Sequence, residues 1–422
     1  MVEKFIIQGG KKLEGIIDVH GAKNVTFPVL AATLLTKEDC IISNVPLIED
    51  VFRMLEILES MQVKVTWQGR RTLKINAKDL DPSKIKADIV RKFRGSILLL
   101  GPLLVRFGEI EFPYPGGCLI GARPIDTHLD AFSQLGVEII PNNKSYKLRF
   151  NKKLASQEVI LNEFSVTATE NIILFASLLT EKITIKIADS DYQVQELAKF
   201  LKKMGVKIKG AGTHTVTIRG AKNLKGANYK IIGDPIEAGT FIVLAAATKS
   251  LLTVRNVELG YLEFFLKRLK FFGVPCEILD NKTIKIKPWE SLRIDKIQSL
   301  PYPGMPSDLQ SVFGVLATQS RGSTLIHDPL YEGRLKYLEG LIKMGADIIF
   351  ADPHRAIVNG PSHLYGADLG VFDLRGGAAL IIAALAAEGE STINNVYQVD
   401  RGYETIEKRL QKIGADIRRI EN

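Results

Sequence analysis

The pattern of apolar and polar positions repeats along the chain. Six times, a stretch with helical apolar spacing closes on a short apolar–Gly–apolar turn and passes into an alternating strand. The copies are Met61-Gln62-Val63-Lys64-Val65, Leu135-Gly136-Val137-Glu138-Ile139, Met204-Gly205-Val206-Lys207-Ile208, Phe272-Gly273-Val274-Pro275-Cys276, Met344-Gly345-Ala346-Asp347-Ile348 and Ile413-Gly414-Ala415-Asp416-Ile417. Glycine is the residue expected after a last helical turn, since it enters the left-handed region without steric cost; the first copy has Gln62 there. The copies recur about every 70 residues, too long for a solenoid repeat and long enough for a βαβαβ-type unit.

Each copy also holds a second helical stretch that is apolar on nearly every side: Phe27 to Leu35, Ser96 to Leu104, Asn171 to Leu179, Phe241 to Ala247, Leu309 to Ala317 and Ala378 to Ala386. Helices of that kind are buried inside a domain. Segments such as Thr215-Val216-Thr217-Ile218 and Thr283-Ile284-Lys285-Ile286 alternate with a period of two, as strands covering those helices with one face would. A chain of 422 residues exceeds the size of a single core, and six units divide into two α/β domains of three. No linker-like segment marks the boundary.

Composition narrows the function classes. Apolar residues make up 46% and charged residues 24%, ordinary for a globular protein. The start, Met1 to Ile7, reads as a polar-flanked strand rather than a signal peptide, and the apolar run Ile97 to Val105 is broken by Gly101-Pro102. A cytoplasmic protein without membrane insertion is expected. Three distant cysteines, Cys40, Cys118 and Cys276, argue against a disulfide scaffold or a metal knuckle. The net charge of +9 favours anionic partners, but most of the excess is scattered lysine with no aromatic-interleaved basic run. Nucleic acid is therefore not expected.

The informative residues precede the buried helices: Gly21-Ala22-Lys23-Asn24, Lys92-Phe93-Arg94-Gly95, Ser165-Val166-Thr167, Asp234-Pro235-Ile236-Glu237, Pro306-Ser307-Asp308 and Asp373-Leu374-Arg375-Gly376. Helix starts attract anions, and Ser165, Ser307 and Asp373 read as ordinary N-caps. Lys23, Arg94 and Arg375 oppose the helix dipole at matching places in the repeat, which suggests a bound polyanion. The lead-ins of the amphipathic helices add Arg123-Pro124-Ile125-Asp126, Glu332-Gly333-Arg334 and Asp400-Arg401-Gly402. Each arginine alone is explained by a surface ion pair; the set reads as a binding site. The segment from Pro113 to Pro124 places three glycines and three prolines around Cys118, the composition of an exposed loop, and Arg123 with a following helix start would favour its thiolate.

With these residues assembled, the chain resembles the UDP-N-acetylglucosamine enolpyruvyl transferase family. The match rests on Gly21-Ala22-Lys23-Asn24, the Gly116–Asp126 segment, Ser307-Asp308-Leu309-Gln310, Asp373-Leu374-Arg375 and Asp400-Arg401-Gly402-Tyr403-Glu404, and runs end to end. The resemblance implies a two-domain inverted (inside-out) α/β barrel, each domain built from three βαβαββ units. It implies residues 23–232 as one domain, 1–22 with 233–422 as the other, and an active site in the cleft. The implied reaction moves the enolpyruvyl group of phosphoenolpyruvate to the 3-hydroxyl of UDP-N-acetylglucosamine, releasing phosphate, without cofactor or metal. On this resemblance Cys118 is the general acid and the target of the epoxide fosfomycin, and Asp308 accepts the hydroxyl proton. Lys23, counted with Cys118 and Asp308 among the catalytic residues, holds phosphoenolpyruvate with Arg123 and Arg401, and Arg94, Arg334 and Arg375 support substrate charge. Asn24, Ser165, Val166 and Thr167 place the nucleotide sugar, with Pro124, Ile125, Asp126, Leu330 and Asp373 completing the substrate-binding set.

The sequence departs from the family pattern at Asp189-Ser190-Asp191-Tyr192-Gln193, where Glu-Pro-Glu is usual, and at Thr167, Pro235, Gly333 and Leu98. Two alternatives stay open on sequence alone. One is the shikimate-pathway enolpyruvyl transferase, against which Asn24 and Cys118 speak. The other is a non-catalytic or specificity-shifted paralogue that binds a nucleotide sugar or another polyanion.

Overall fold

The computed structural model describes residues 3–116, 120–121 and 124–421. It forms two compact units. One comprises the residues up to His20 and from Gly233 onward, with Ile120 and Gly121 grouped with it; the other comprises the remainder of Gly21 to Ile232. Each repeat contributes one sheet. Five have four strands and one, built from Glu109–Pro113, Val137–Pro141 and Ser145–Phe150, has three among the described residues.

In the first unit one repeat is complete and continuous. Lys296–Gln298 leads through the Ser307–Ala317 helix to Gly322–His327, which it pairs in parallel, with Lys296 opposite Leu325. The Tyr337–Lys343 helix then leads to Asp347–Asp352 and Arg355–Gly360, which close the sheet in antiparallel register. This is the βαβαββ order. The other two sheets of this unit borrow N-terminal strands. Glu14–Asp18 pairs in parallel with Leu251–Arg255, and Lys4–Gln8 lies between Glu390–Asn394 and Asp416–Ile420. The second unit is thus inserted into the first immediately after its second strand.

The helices lie inside and the sheets outside, so each unit is an inverted α/β barrel. Pro235–Ala247 is buried along its whole length and packs with Ser307–Ala317 and Leu374–Ala386. Its apolar surface on all sides leaves no face for solvent. Gly239 permits the close approach, since a β-carbon there would lie 2.7 Å from Leu309 Cδ1. The strands bury alternate residues, as in Thr283–Ile286, matching their period of two.

All six repeat turns adopt the left-handed conformation. Gly136, Gly205, Gly273, Gly345 and Gly414 have φ between 91° and 108°, and Gln62 in the first copy is held at 66°. The buried helices begin earlier than their apolar runs suggest. Lys23 and Asn24 open the Lys23–Ala32 helix, and Arg375 lies within Leu374–Ala386. The second unit's Arg94–Leu99 is a 3₁₀ turn, and the α-helix proper runs Leu100–Phe107. That start places Pro102 in the first helical turn, where its missing N–H has no intrahelical partner to lose. No helix among the described residues is long and apolar enough to cross a membrane.

Candidate active site

In the first unit, three helix starts converge on Asp308. Asp308 occupies the first turn of Ser307–Ala317 and is the partly exposed member of the cluster. Its Oδ1 accepts from Arg334 Nη2 at 3.0 Å, and its Oδ2 accepts from Arg375 Nε at 3.1 Å and Nη2 at 3.0 Å. Both guanidinium groups are buried. Burial opposes charge on Arg375, yet Asp308, Tyr403 and Asp234 outweigh it and hold the guanidinium more firmly protonated than usual. Arg334 follows the same balance, with Asp308, Asp373 and Asp328 overcoming desolvation.

Asp373 caps its helix, accepting the N–H groups of Arg375 at 3.0 Å and Gly376 at 3.1 Å, and its Oδ1 lies 3.5 Å from Arg334 Nη1. Arg375 also sits over the Tyr403 ring at 5.6 Å, and the Tyr403 hydroxyl meets Thr240 Oγ1 at 2.8 Å. Leu330 is exposed on the loop before Arg334. Arg401, at the end of Tyr397–Asp400, is steadied by Gln398 Oε1 at 3.1 Å. Gly333 N–H donates to the Ile120 carbonyl at 2.7 Å.

One expectation is corrected here. Ser307 is not an N-cap: Pro306 holds that position without a side-chain cap, and Ser307 is the first helical residue. Its hydroxyl donates to Asp328 Oδ2 at 2.7 Å and accepts from Arg334 Nε at 2.9 Å. The side chain serves the arginine instead of the helix end.

The second unit gathers the other set. The Lys23 ammonium lies 2.7 Å from Asp50 Oδ2, both nearly buried, and 5.9 Å from the centre of the Phe27 ring. Asn24 follows it, half-buried. Arg94 Nη2 donates to the Pro124 carbonyl at 3.2 Å. Pro124 leads to Ile125, whose carbonyl takes the His128 N–H at 2.9 Å, and to Asp126 at the exposed start of Asp126–Gln134. Ser165 does cap its helix, its Oγ accepting from Ala168 N at 3.4 Å, with Val166 and Thr167 in the first turn.

Thr167 has a partner the sequence did not signal. His128 Nε2 meets Thr167 Oγ1 at 3.1 Å, while His128 Nδ1 faces Asn171 Nδ2 at 3.1 Å. Asn171 Nδ2 also donates to the Ile97 carbonyl, and its Oδ1 accepts from Gly101 N–H. That amide orientation makes Nδ1 an acceptor, so the proton sits on Nε2 and points at Thr167. The departures from the family pattern have local roles too. Asp191 caps Tyr192–Met204 through Gln193 N–H at 3.0 Å, and Pro235 takes the first helical position behind the Asp234 cap. Leu98 is buried within the 3₁₀ turn.

Cys118 and Arg123 lie outside the described residues. The positive helix starts have internal counter-charges where a polyanion was expected: Asp50 for Lys23 and Asp308 for Arg375.

The inverted α/β barrel is a fold that enolpyruvyl transferases of known structure share. Solved structures with this fold include the enolpyruvyl transferase NikO from Streptomyces tendae, at a TM-score of 0.90 and 24% identity over 99% of both chains, and an EPSP synthase from Acinetobacter baumannii, at 0.75 and 18% over 100% of both. The chain belongs to the EPSP synthase (3-phosphoshikimate 1-carboxyvinyltransferase) family, whose profile matches residues 7–410. Relatives named UDP-N-acetylglucosamine 1-carboxyvinyltransferase include one from Bradyrhizobium diazoefficiens, 40% identical over 99% of this chain and 98% of its own, and one from Treponema denticola, 40% identical over 99% of each. Another, from Caldanaerobacter subterraneus subsp. tengcongensis, carries that name with the number 2 and is 41% identical over 99% of each chain.

Proposed function

We propose that this protein transfers the enolpyruvyl group of phosphoenolpyruvate to the 3-hydroxyl of UDP-N-acetylglucosamine, a step in peptidoglycan precursor synthesis. The observation that carries the reading is full-length relationship at about 40% identity to enzymes of that name, against 18% to an EPSP synthase structure of the same fold. Asp308, partly exposed between two buried arginines, supports it from the side of the chemistry.

In this reading the hydroxyl oxygen attacks C2 of phosphoenolpyruvate as its proton passes to Asp308, and Cys118 protonates the C3 methylene. The tetrahedral adduct then loses a proton from the methyl group and expels phosphate, restoring the double bond. Lys23, Arg123 and Arg401 hold phosphoenolpyruvate; Arg94, Arg334 and Arg375 balance substrate charge. Fixed cations suit this task because they need no reorganisation as charge moves during addition and elimination. Asn24, Ser165, Val166, Thr167, Pro124, Ile125, Asp126, Leu330 and Asp373 place the nucleotide sugar. Residues 23–232 act as one catalytic domain, and 1–22 with 233–422 as the other. In this reading the enzyme works in the cytoplasm, a location that its two water-soluble anionic substrates support.

The test is phosphate release from phosphoenolpyruvate in the presence of UDP-N-acetylglucosamine, run beside shikimate 3-phosphate. Release with the nucleotide sugar supports the proposal. Release only with shikimate 3-phosphate moves the chain to the sister activity, and no release by folded protein ends the reading.

A further inference from the structure

Asp328 is a carboxylate with no exposed surface, and the chemistry above gives it no task. It follows the Gly322–His327 strand and gathers four hydrogen bonds. Its Oδ1 accepts from the N–H groups of Leu330 at 3.0 Å and Tyr331 at 3.2 Å, which shapes the turn leading to Arg334. Its Oδ2 accepts the hydroxyls of Ser299 at 2.6 Å and Ser307 at 2.7 Å.

The Ser307 bond has a consequence for direction. A carboxylate can only accept, so the Ser307 proton must point at Asp328. The Ser307 lone pairs are then left for the Arg334 Nε–H, 2.9 Å away. Arg334 in turn presents Nη2 to Asp308 Oδ1 at 3.0 Å and Nη1 toward Asp373 at 3.5 Å. The guanidinium is planar, so fixing Nε fixes the direction of both terminal nitrogens. The chain Asp328–Ser307–Arg334–Asp308 therefore runs from a buried anchor to the carboxylate that meets solvent.

We infer that Asp328 is a positioning residue for the transfer reaction, acting through Ser307 to aim Arg334 and so set the orientation of Asp308. The inference rests on the reading of Asp308 as the proton acceptor. Asp328 touches no substrate in this scheme. Its effect falls on the step in which the hydroxyl proton leaves, where a small misplacement of the acceptor is costly.

The test compares Asp328→Asn, Ser307→Ala, their combination and Ser307→Thr in steady-state phosphate release, with folding checked by thermal unfolding. An asparagine amide turned toward Ser307 would donate where the carboxylate accepts, reversing the hydroxyl's direction. Asp328→Asn and Ser307→Ala should each lower kcat by about ten- to a hundredfold with little change in KM for phosphoenolpyruvate. The double variant should be no worse than the poorer single, because both cut one chain. Ser307→Thr, which keeps the hydroxyl, should retain most of the activity. Ser299→Ala removes another donor to the same oxygen without touching an arginine, and should leave kcat within about twofold of the parent.

Multiplicative losses in the double variant, or full activity in Ser307→Ala, would overturn the inference and leave Asp328 a fold-maintaining residue. If Asp328→Asn does not fold, Ser307→Ala against Ser307→Thr still decides, since both lie on the same chain. Failure of the functional reading is distinguishable, because the unmodified protein would then release no phosphate at all.

Discussion

Lys23 and Asp50 form an ion pair at 2.7 Å with side-chain exposures of only 10% and 6%. The lysine opens the Lys23–Ala32 helix, where its charge opposes the dipole, and the aspartate sits in the first turn of Glu49–Ser60, where its charge is favoured. Removing one partner of so enclosed a pair takes this ion pair from the other's nearly buried charge. Asp50→Ala should cost about 3 kcal/mol of stability in denaturant unfolding. Replacing both, Lys23→Met with Asp50→Leu, should recover most of that loss while abolishing turnover. A loss below about 1 kcal/mol in Asp50→Ala would show that the pair behaves as a solvated one.

The proposed reaction gives Asp308 a second duty beside its observed ion pairs, and the two can be separated. As the proton acceptor its removal should collapse turnover by about a hundredfold or more. As the shared counter-ion of Arg334 and Arg375 its removal takes the nearest carboxylate from two buried guanidinium groups, leaving Arg334 with Asp373 at 3.5 Å. Asp308→Ala should therefore unfold at lower temperature than the parent, and inorganic phosphate should raise its midpoint more than it raises the parent's. Equal phosphate responses would mean that the two arginines are not the anion site.

Much of this arrangement was legible in the sequence, and the gaps have a common cause. The six turns were readable because left-handed backbone selects glycine locally, and the buried helices because apolar residues on every side leave no solvent face. Two α/β domains of three units followed from these, and the inverted barrel followed from the family resemblance. The partners of the marked residues were not readable, since Asp50, His128 and Asp328 meet Lys23, Thr167 and Ser307 through tertiary packing with no fixed sequence spacing. Ser307 was misread as a cap because a hydroxyl at a helix start looks the same one position earlier. Only the path of the chain through Pro306 distinguishes the two.

Glu170 gives the pH dependence a testable sign. It is buried in Val166–Ala176, and among the described residues neither carboxylate oxygen has a hydrogen-bond partner. Burial, with the charges of Asp191 and Asp189 beside it, pushes its pKa well above the ordinary carboxylate range. A carboxyl raised in the folded state binds its proton more tightly than in the unfolded chain. Its contribution is fully present below the unfolded value and is lost as pH rises toward the folded one, by about 1.4 kcal/mol per unit. Glu170→Met should thus gain stability over the parent increasingly as pH rises above about 4.5. A difference between the two that stays flat from pH 5 to pH 8 would refute the assignment.

The thiols offer a count that isolates Cys118 without reference to its structure. Cys40 is buried in the Cys40–Ser43 strand, and desolvation raises its pKa to about 11. Cys276 begins Cys276–Asp280, and burial raises its thiol to about 12. Because the thiolate is the reactive form, about a thousandth or less of either is competent at pH 8. Native protein should therefore take up one equivalent of an alkylating reagent at that pH, and denatured protein three. Peptide mapping should place the native label on Cys118, Cys118→Ala should abolish it, and fosfomycin should protect the parent from it. Labelling of Cys40 or Cys276 at a comparable rate in folded protein would show that their burial does not suppress the thiolate, and the single fast thiol could no longer be credited to the Gly116–Asp126 segment.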